Sequence, residues 1–168
     1  ETREKYDISS LRYIIHAAAP CPPEAKRQMI EWWGPIINEF YGSTESSAVT
    51  LATSEDALKK PGTVGRPIDG AEIIIVGENG ETLGPNQTGE IFTRIHGMPD
   101  FTYFNKPEKR VEIDRDGFIT SGDVGYLDDD GYLFINDRKR DMVISGGVNI
   151  YPAEIGRASC RERVSNCV

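Results

Sequence analysis

Residues 41–45 read Tyr-Gly-Ser-Thr-Glu, and two further serines follow them. The stretch places an aromatic ring, a glycine, hydroxyls and one carboxylate directly after an apolar run that begins at Pro35. A ring can stack on a flat ligand, a glycine lets the backbone approach closely, and hydroxyls and a carboxylate can hold polar groups. An ordinary loop does not need this combination, so the segment is a candidate ligand-binding site.

The elements around this stretch predict a βαβ unit. Residues 11–15 are β-rich and apolar and predict a buried strand, and Pro22-Pro23 suits a helix start. Apolar residues recur at helical spacing until Gly34, and residues 36–41 predict the second strand. The strands of such a unit are parallel, and α/β sheets bind ligands beyond their carboxyl ends. Residues 17–20 and the polar stretch are therefore expected at one ligand-binding edge.

The chain changes character after Thr63. Short apolar runs alternate with turn signals, and no helical period of useful length is present. The acidic run at 128–130 precedes a glycine, but its acidic residues are contiguous, whereas a calcium loop needs them at alternate positions. We therefore predict a hairpin turn there and a β-rich subdomain overall, either a small barrel or a distorted sheet. The predicted strands cover residues 71–76, 89–96, 117–120, 126–127 and 132–135.

Composition limits the possible partners. The formal net charge is -8, which argues against a nucleic-acid backbone as the main partner, although a nucleotide needs only a few donors. No apolar run approaches the roughly 20 residues of a transmembrane helix. The three cysteines have no metal-ligand spacing, which favours free thiols in a reducing, cytoplasmic compartment. His16 and His96 are isolated, and isolated histidines are usually structural.

Four segments, taken together, resemble one family. They are AAAPCP at 17–22, YGSTE at 41–45, TSGDVGYLDDDGYLFINDRKRD at 120–141 and ISGGVNIYPAEI at 144–155. In order and spacing they closely resemble motifs of the adenylate-forming (AMP-binding) superfamily, and the chain looks most like an acyl-CoA synthetase of the fatty-acid or aromatic-acid type. The sequence GMPDFTYFNKPEKR at 97–110 resembles the segment that leads to the ribose loop in those enzymes.

The resemblance implies an α/β fold class and a division of the chain. Residues 1–62 would end a parallel α/β AMP-binding subdomain, and residues 63–137 would form a β-rich, distorted-barrel subdomain with the ribose loop. Residues 138–155 would hold the hinge and begin a small C-terminal α+β domain. The implied reaction joins a carboxylic acid to the α-phosphate of ATP, releases pyrophosphate, and then transfers the acyl group from AMP to coenzyme A.

The resemblance also assigns roles near the polar stretch. Glu45 would hold Mg²⁺, a hard ion that prefers oxygen ligands, and Thr44 would hydrogen-bond the phosphate of the adenylate. Tyr41 would stack on adenine, Gly42 would let the backbone approach the base, and Ala18 and Ala19 would face the base from the other strand end. The alternatives are a capped polar strand end for Thr44 and Glu45, core packing for Tyr41, and tight helix–strand packing for the alanines.

The downstream motifs receive roles in the same way. Asp123 would accept hydrogen bonds from the two ribose hydroxyls, since an ionised carboxylate is purely an acceptor; its alternative is a turn aspartate. Arg138 would reach ribose or phosphate with its permanent charge. Arg140 lies where the family's C-terminal domain pivots, a position that Asp or Lys usually holds. Gly146 and Gly147 would leave a passage for the pantetheine arm of coenzyme A, or form a strained turn.

Some family features are not in the sequence. The phosphate loop would lie upstream of Glu1 and the adenylation lysine near the far C-terminus, and residues 156–168 do not match the family, so we expect a foreign tail. This chain alone is expected to be nearly inactive. Ser46, Ser47 and Ala48 are candidates for the acyl pocket, and the acyl group and oligomeric state are open. An adenylation domain with another acceptor, as in peptide synthetases or luciferase-like enzymes, and a silent nucleotide-binding remnant are the alternative functions.

Overall fold

A computed structural model describes residues 5–141, 143–145 and 148–150. Its first sheet has the strand order β1-β2-β3-β4. Strands β1 and β2 are parallel, with Ile14 opposite Ile37, and the other two pairs are antiparallel. The parallel pair predicted by the βαβ pattern is therefore confirmed. The four strands are β1 Ile14–His16, β2 Ile37–Ser43, β3 Ser47–Ala52 and β4 Arg66–Pro67.

The first strand differs from the prediction of a buried strand at 11–15. It begins at Ile14, and the side chains of Leu11 and Ile15 are 40% and 60% exposed. β1 is the edge strand of the described sheet and pairs with β2 alone, so its other edge has no partner strand in the part of the chain that the structure describes. An apolar run thus formed a strand, but an exposed one.

Helix α1, Pro23–Trp33, connects the two parallel strands as predicted. A proline occupies its first turn, where the missing N–H costs nothing, and Gly34, with φ of 81°, ends the helix by donating to the carbonyl of Ile30. Lys26 and Ile30 are the buried residues of the helix. The Lys26 ammonium forms a buried ion pair with Glu39 of β2.

A second helix, α2 (Ser54–Lys59), was not predicted from the sequence. Thr53 and Asp56 form a capping box at its start, with reciprocal hydrogen bonds between side chains and backbone. Ser54 is buried and bonds both backbone groups of Ile37, at 3.0 Å from the nitrogen and 2.6 Å from the oxygen. The Thr-x-x-Asp spacing was the signal that the sequence offered, but only six residues are helical, too few for a clear period.

The second sheet is antiparallel and contains five strands, in the order β5-β6-β8-β7 with β9 paired to β8. The predicted strand at 71–76 is confirmed, and that at 89–96 ends one residue early. A short helix, α3 (Glu108–Glu112), precedes β7. The strands are β5 Ala71–Val76, β6 Gly89–Ile95, β7 Asp114–Arg115, β8 Phe118–Leu127 and β9 Leu133–Arg138.

The two short strands predicted at 117–120 and 126–127 are one continuous strand. Ser121, Gly122 and Asp123 looked like a turn, but they stay within β8, where Asp123 lies opposite Arg138 of β9. A register shift after Val124 absorbs the irregularity. The hairpin predicted at 128–131 is present, because the N–H of Asp128 donates to the carbonyl of Tyr132 at 2.9 Å.

Several contacts hold the two sheets together. Backbone hydrogen bonds join residues 64–65 to Leu133 in both directions, at 2.9 and 2.8 Å. Ile75, Ile91 and Leu133 form a buried core, and Tyr41 of the first sheet packs against it. The predicted mixed α/β class is confirmed, with strands dominating.

A 3₁₀ turn at Lys139–Asp141 and an antiparallel hairpin, β10 (Val143–Ser145) with β11 (Val148–Ile150), complete the described chain. None of the helices in the described ranges is long and apolar enough to cross a bilayer.

Candidate functional site

The segment after β1 is strained. Ala18 has φ of 71°, in the left-handed region that residues other than glycine rarely adopt, and both Ala18 and Ala19 are exposed. Such strain persists where the surrounding structure demands it, and it is common at ligand sites. The two alanines predicted to face adenine therefore lie at the surface just beyond the end of β1, at the expected edge of the sheet.

A charged cluster lies under this segment. Glu39, which is 5% exposed, pairs with Lys26, and the Nδ1 atom of His16 lies 3.2 Å from its Oε1 atom. His16 directly precedes the segment at 17–20. The cluster ties β1, α1 and β2 together, which is the structural role expected of an isolated histidine.

The polar stretch forms a tight turn between β2 and β3. Ser43 and Ser46 exchange hydrogen bonds, with the N–H of each donating to the hydroxyl of the other at 3.0 and 3.1 Å. Thr44 is exposed at the tip of the turn. A Cβ atom on Gly42 would overlap the backbone oxygen of Ser47. The glycine is thus required by the close return of the chain itself, in addition to the predicted approach of a base.

Tyr41 links the polar stretch to the predicted ribose residue. Its ring packs against the core of Ile75, Ile91 and Leu133, and its hydroxyl donates to Oδ2 of Asp123 at 2.8 Å. Burial and the nearby carboxylate raise the pKa of Tyr41 well above its usual range. The ring therefore takes the core-packing position that the sequence left open, while the predicted stacking on adenine stays a prediction.

Asp123 lies on β8 beside a cavity of about 390 Å³. The residue is 9% exposed, and its Oδ1 atom lies 3.5 Å from the Nε atom of Arg138. The cavity is lined by Ser121, Gly122, Arg138 and Lys139. A buried carboxylate acceptor suits a sugar hydroxyl, and the half-exposed Arg138 beside it suits a phosphate.

Glu45 lines a different cavity, of about 290 Å³. Its Oε1 atom accepts a hydrogen bond of 2.7 Å from the hydroxyl of Tyr103, and this bond holds the pKa of Glu45 below its usual range. Asp123 is not among the residues that line this second cavity. Glu45 thus borders one cavity, whereas Asp123 lies next to residues that line the other. Strand β2 connects the two places, because its Tyr41 contacts Asp123 and its end leads to Glu45.

The donor set is compatible with Mg²⁺ at Glu45. Within the described ranges, no three His, Cys, Asp or Glu side chains are grouped as a cation site. Mg²⁺ usually binds through one or two carboxylates together with substrate phosphates and water. A single ionised carboxylate beside a cavity fits that mode.

Several of the predicted site residues lie outside the described residues, or their side chains are not described. Gly146 and Gly147 lie outside the described residues, as do residues 156–168 of the tail. Arg140 lies in the 3₁₀ turn, and nothing is described of its side chain. The hinge and the coenzyme A passage therefore stay predictions.

Sequence reasoning missed two contributors to the site. Tyr103 lies in the segment 97–110, which was recognised only as a connection, and nothing in its spacing indicated a contact with Glu45, 58 residues away. Glu90 of β6 accepts from Thr120 at 3.0 Å and pairs with Lys139 at 2.7 Å, which joins β6 to β8 and to the 3₁₀ turn at Lys139–Asp141. Both contacts depend on tertiary packing, so no local pattern could have shown them.

Comparison with known proteins identifies the family. The family model described as AMP-binding enzyme matches residues 1–99, more than half of the chain. This chain belongs to the AMP-binding enzyme family. Among its curated relatives, the long-chain-fatty-acid–CoA ligase of Bacillus subtilis is 37% identical over 156 residues, which cover 92% of this chain and 28% of the relative. The 2-succinylbenzoate–CoA ligase of Oceanobacillus iheyensis is 43% identical over 149 residues, 88% of this chain and 30% of the relative.

Solved structures of AMP-binding enzymes agree with the fold. The O-succinylbenzoate coenzyme A synthetase of Bacillus subtilis, in complex with ATP and magnesium ion, superposes with a TM-score of 0.83 and 32% identity over 94% of this chain and 33% of that chain. An amide bond synthetase from Marinactinospora thermotolerans superposes with a TM-score of 0.84 and 29% identity over 92% of this chain and 32% of that chain. The chain spans about 28–30% of the length of the two curated relatives.

Proposed function

We propose that this chain is part of an ATP-dependent carboxylate–CoA ligase that makes acyl-AMP and then acyl-CoA from a fatty or aromatic acid. The observation that carries the proposal is Asp123, a nearly buried carboxylate beside the cavity of Arg138 and Lys139, bonded through Tyr41 to the strand that leads into the polar stretch. Relatives named as ligases of long-chain fatty acid, indoleacetate and 2-succinylbenzoate support this class of reaction.

The first half-reaction needs a fixed nucleotide. A carboxylate oxygen of the acid attacks the α-phosphorus of ATP, the bond to the bridging oxygen breaks, and pyrophosphate leaves. In our proposal Asp123 accepts from the ribose hydroxyls, Arg138 lies against ribose or phosphate, and Thr44 donates to the adenylate phosphate. Phosphoryl transfer of this kind depends on positioning and charge stabilisation more than on covalent catalysis.

Mg²⁺ would neutralise phosphate charge when bound. We assign Glu45 as its protein ligand, supported by the lowered pKa of this carboxylate, which keeps it ionised, and by its position on the 290 Å³ cavity. Ala18, Ala19, Tyr41 and Gly42 surround the adenine side in this proposal.

The second half-reaction transfers the acyl group to a thiol. The sulfur attacks the acyl carbonyl, a tetrahedral adduct forms, and AMP leaves with the electrons of the broken bond. We propose coenzyme A as the thiol, with Arg140 at the pivot and Gly146 and Gly147 along the entry path. One alternative has a supporting observation: a structural neighbour is named as an amide bond synthetase, so a different acceptor is the second candidate.

We also propose that the 168 residues alone are almost inactive as a ligase. The relatives are about three times as long as this chain. The 168 residues contain neither the phosphate loop nor the adenylation lysine that the family resemblance implies. We also propose a cytoplasmic location for this protein, supported by the free thiol of Cys21.

Nucleotide binding tests the proposal directly. AMP is titrated into the chain by calorimetry, and Asp123→Ala should weaken binding by about 10- to 100-fold, the cost of a hydrogen bond to a charged group. Asp116→Asn is a matched control, because it also removes one negative charge, at an exposed turn with φ of 52° that Asn tolerates. Equal AMP affinity in the wild-type chain and Asp123→Ala, or no heat from AMP at all, would contradict the proposal.

A further inference from the structure

We propose that Tyr103 is a positioning residue for the Glu45 carboxylate, and that the segment 97–110 forms a support that orients this side chain toward its cation. The inference rests on the proposed function, because it concerns how the assigned Mg²⁺ ligand is held. The proposed reaction assigns no role to the segment 97–110.

In the turn that carries Glu45, hydrogen bonds fix the backbone better than they fix the Glu45 side chain. The paired hydrogen bonds between Ser43 and Ser46 hold the main chain on either side of Thr44 and Glu45. Glu45 itself lies between β2 and β3, outside both strands, and is only partly buried. A glutamate has three side-chain torsions, so the position of its carboxylate depends on contacts made by the carboxylate.

Tyr103 provides the largest such contact. Its hydroxyl donates to Oε1 of Glu45 at 2.7 Å, a short bond to an ionised acceptor, and it is the main cause of the lowered pKa of Glu45. An ionised carboxylate has about four acceptor positions on two oxygens, so one donated bond leaves capacity for a cation. A hydrogen bond of this kind to a metal ligand orients it and tunes its basicity.

Tyr103 is itself held by a series of contacts that starts at α3. Arg110 pairs with Asp100 at 3.0 Å and with Asp114 at 2.7 Å. Its guanidinium lies 4.9 Å from the ring centre of Phe101, and that ring meets Tyr103 edge-on at 5.7 Å. Asp100, Phe101 and Arg110 also line the cavity that Glu45 borders. The support and the carboxylate therefore belong to one surface.

A purely stabilising role for Tyr103 would predict a lower urea midpoint in Tyr103→Phe with unchanged cation binding. We expect no such loss of stability, because the residue is partly exposed and water can replace its hydrogen bond. A positioning role instead predicts a specific loss at Glu45. The two roles are separated by measuring cation binding and unfolding on the same variants.

The experiment follows Mn²⁺, a paramagnetic substitute for Mg²⁺, by NMR of the 168-residue chain in saturating ATP. In the wild-type chain, Mn²⁺ should broaden the amide signals of Glu45 and Ser46. Tyr103→Phe should raise the Mn²⁺ concentration for half-broadening by about 10-fold or more, as for other residues that support metal ligands. Its urea midpoint should stay unchanged. Tyr126→Phe is the matched control, since that ring stacks on Phe134 and is not among the residues that line the Glu45 cavity.

Glu45→Gln separates the two levels of the proposal. If Tyr103 acts through Glu45, Tyr103→Phe should have no further effect on Mn²⁺ broadening in the Glu45→Gln background. Loss of broadening in Glu45→Gln with no change in Tyr103→Phe would overturn the inference and leave the proposed function standing. Unchanged broadening in Glu45→Gln would overturn both, because Glu45 would then not be the cation ligand.

Discussion

Two carboxylates of the candidate site each accept a hydrogen bond from a tyrosine hydroxyl, at 2.8 Å for Tyr41 and Asp123 and at 2.7 Å for Tyr103 and Glu45. The pairs are chemically alike, but their settings differ. Asp123 lies within a strand and is 9% exposed, and its tyrosine packs into the core, whereas Glu45 lies on a turn and its tyrosine comes from a connecting segment. The same type of hydrogen bond is therefore part of the packed fold at Asp123, whereas at Glu45 it joins a turn to a connecting segment.

This contrast matters for the two-step reaction that we propose. In that proposal Asp123 holds the nucleotide through both half-reactions, and the sheet and the core would give it the rigid position that such a group needs. Glu45 would meet phosphates that are present only in the first step, so a lighter contact would be enough to hold it. The following variants test the contrast, starting with the largest expected effect.

Tyr41→Ala should lower the free energy of unfolding by about 3–5 kcal/mol, because it leaves a cavity against Ile75, Ile91 and Leu133. Tyr103→Ala is the matched comparison, and as a partly exposed residue it should cost about 1 kcal/mol. Urea denaturation followed by circular dichroism measures both. Equal losses would remove the difference between the two settings.

Double-mutant cycles should give unequal coupling energies for the two pairs. For Tyr41→Phe with Asp123→Asn, we expect about 1.5–3 kcal/mol, since the bond to the carboxylate is shielded from water. For Tyr103→Phe with Glu45→Gln, we expect less than about 1 kcal/mol, because both residues are partly exposed and water competes for their hydrogen bond. Both cycles are read from denaturation curves. A larger coupling at Glu45 than at Asp123 would reverse our interpretation.

Gly42→Ala should cost about 1–3 kcal/mol, because its Cβ would overlap the backbone oxygen of Ser47, and β3 would have to move. Gly84→Ala is the control: its Cβ would meet only the side chain of Gln87, at 3.8 Å, so the change should lie within about 0.5 kcal/mol. Thermal unfolding compares the two. A tolerated Gly42→Ala would show that the turn before Glu45 is looser than its backbone indicates.

Lys139→Met should have the smallest effect, a loss of less than about 0.5 kcal/mol, because the ion pair with Glu90 joins a largely exposed lysine to a partly buried glutamate. Thr120→Val, which removes the other hydrogen bond to Glu90, should cost more, about 1 kcal/mol. Chemical denaturation checks both. A large loss in Lys139→Met would indicate that the 3₁₀ turn at Lys139–Asp141 is as firmly held as Asp123.

The amino-acid pattern alone was enough to predict the βαβ unit, the helix between its prolines and Gly34, most strands of the second sheet, and the family. These features follow from periodicity, turn residues and motifs, all of which are local. Predictions from local pattern were wrong where packing determines the secondary structure. The pattern divided β8 into two strands at Ser121–Asp123, because glycine and aspartate there resemble a turn. It also missed α2, which has only six residues.

The partners of the site residues, by contrast, became visible in the folded chain alone. In the sequence Tyr41 lies four positions before Glu45, and no local pattern indicates that Tyr41 bonds Asp123, 82 positions away. Nor does any local pattern indicate that Tyr103 bonds Glu45. These contacts arise because two sheets share a core and a connecting segment folds back over a turn. A motif states which groups a site contains, whereas the distances between its groups depend on the packing of the whole chain.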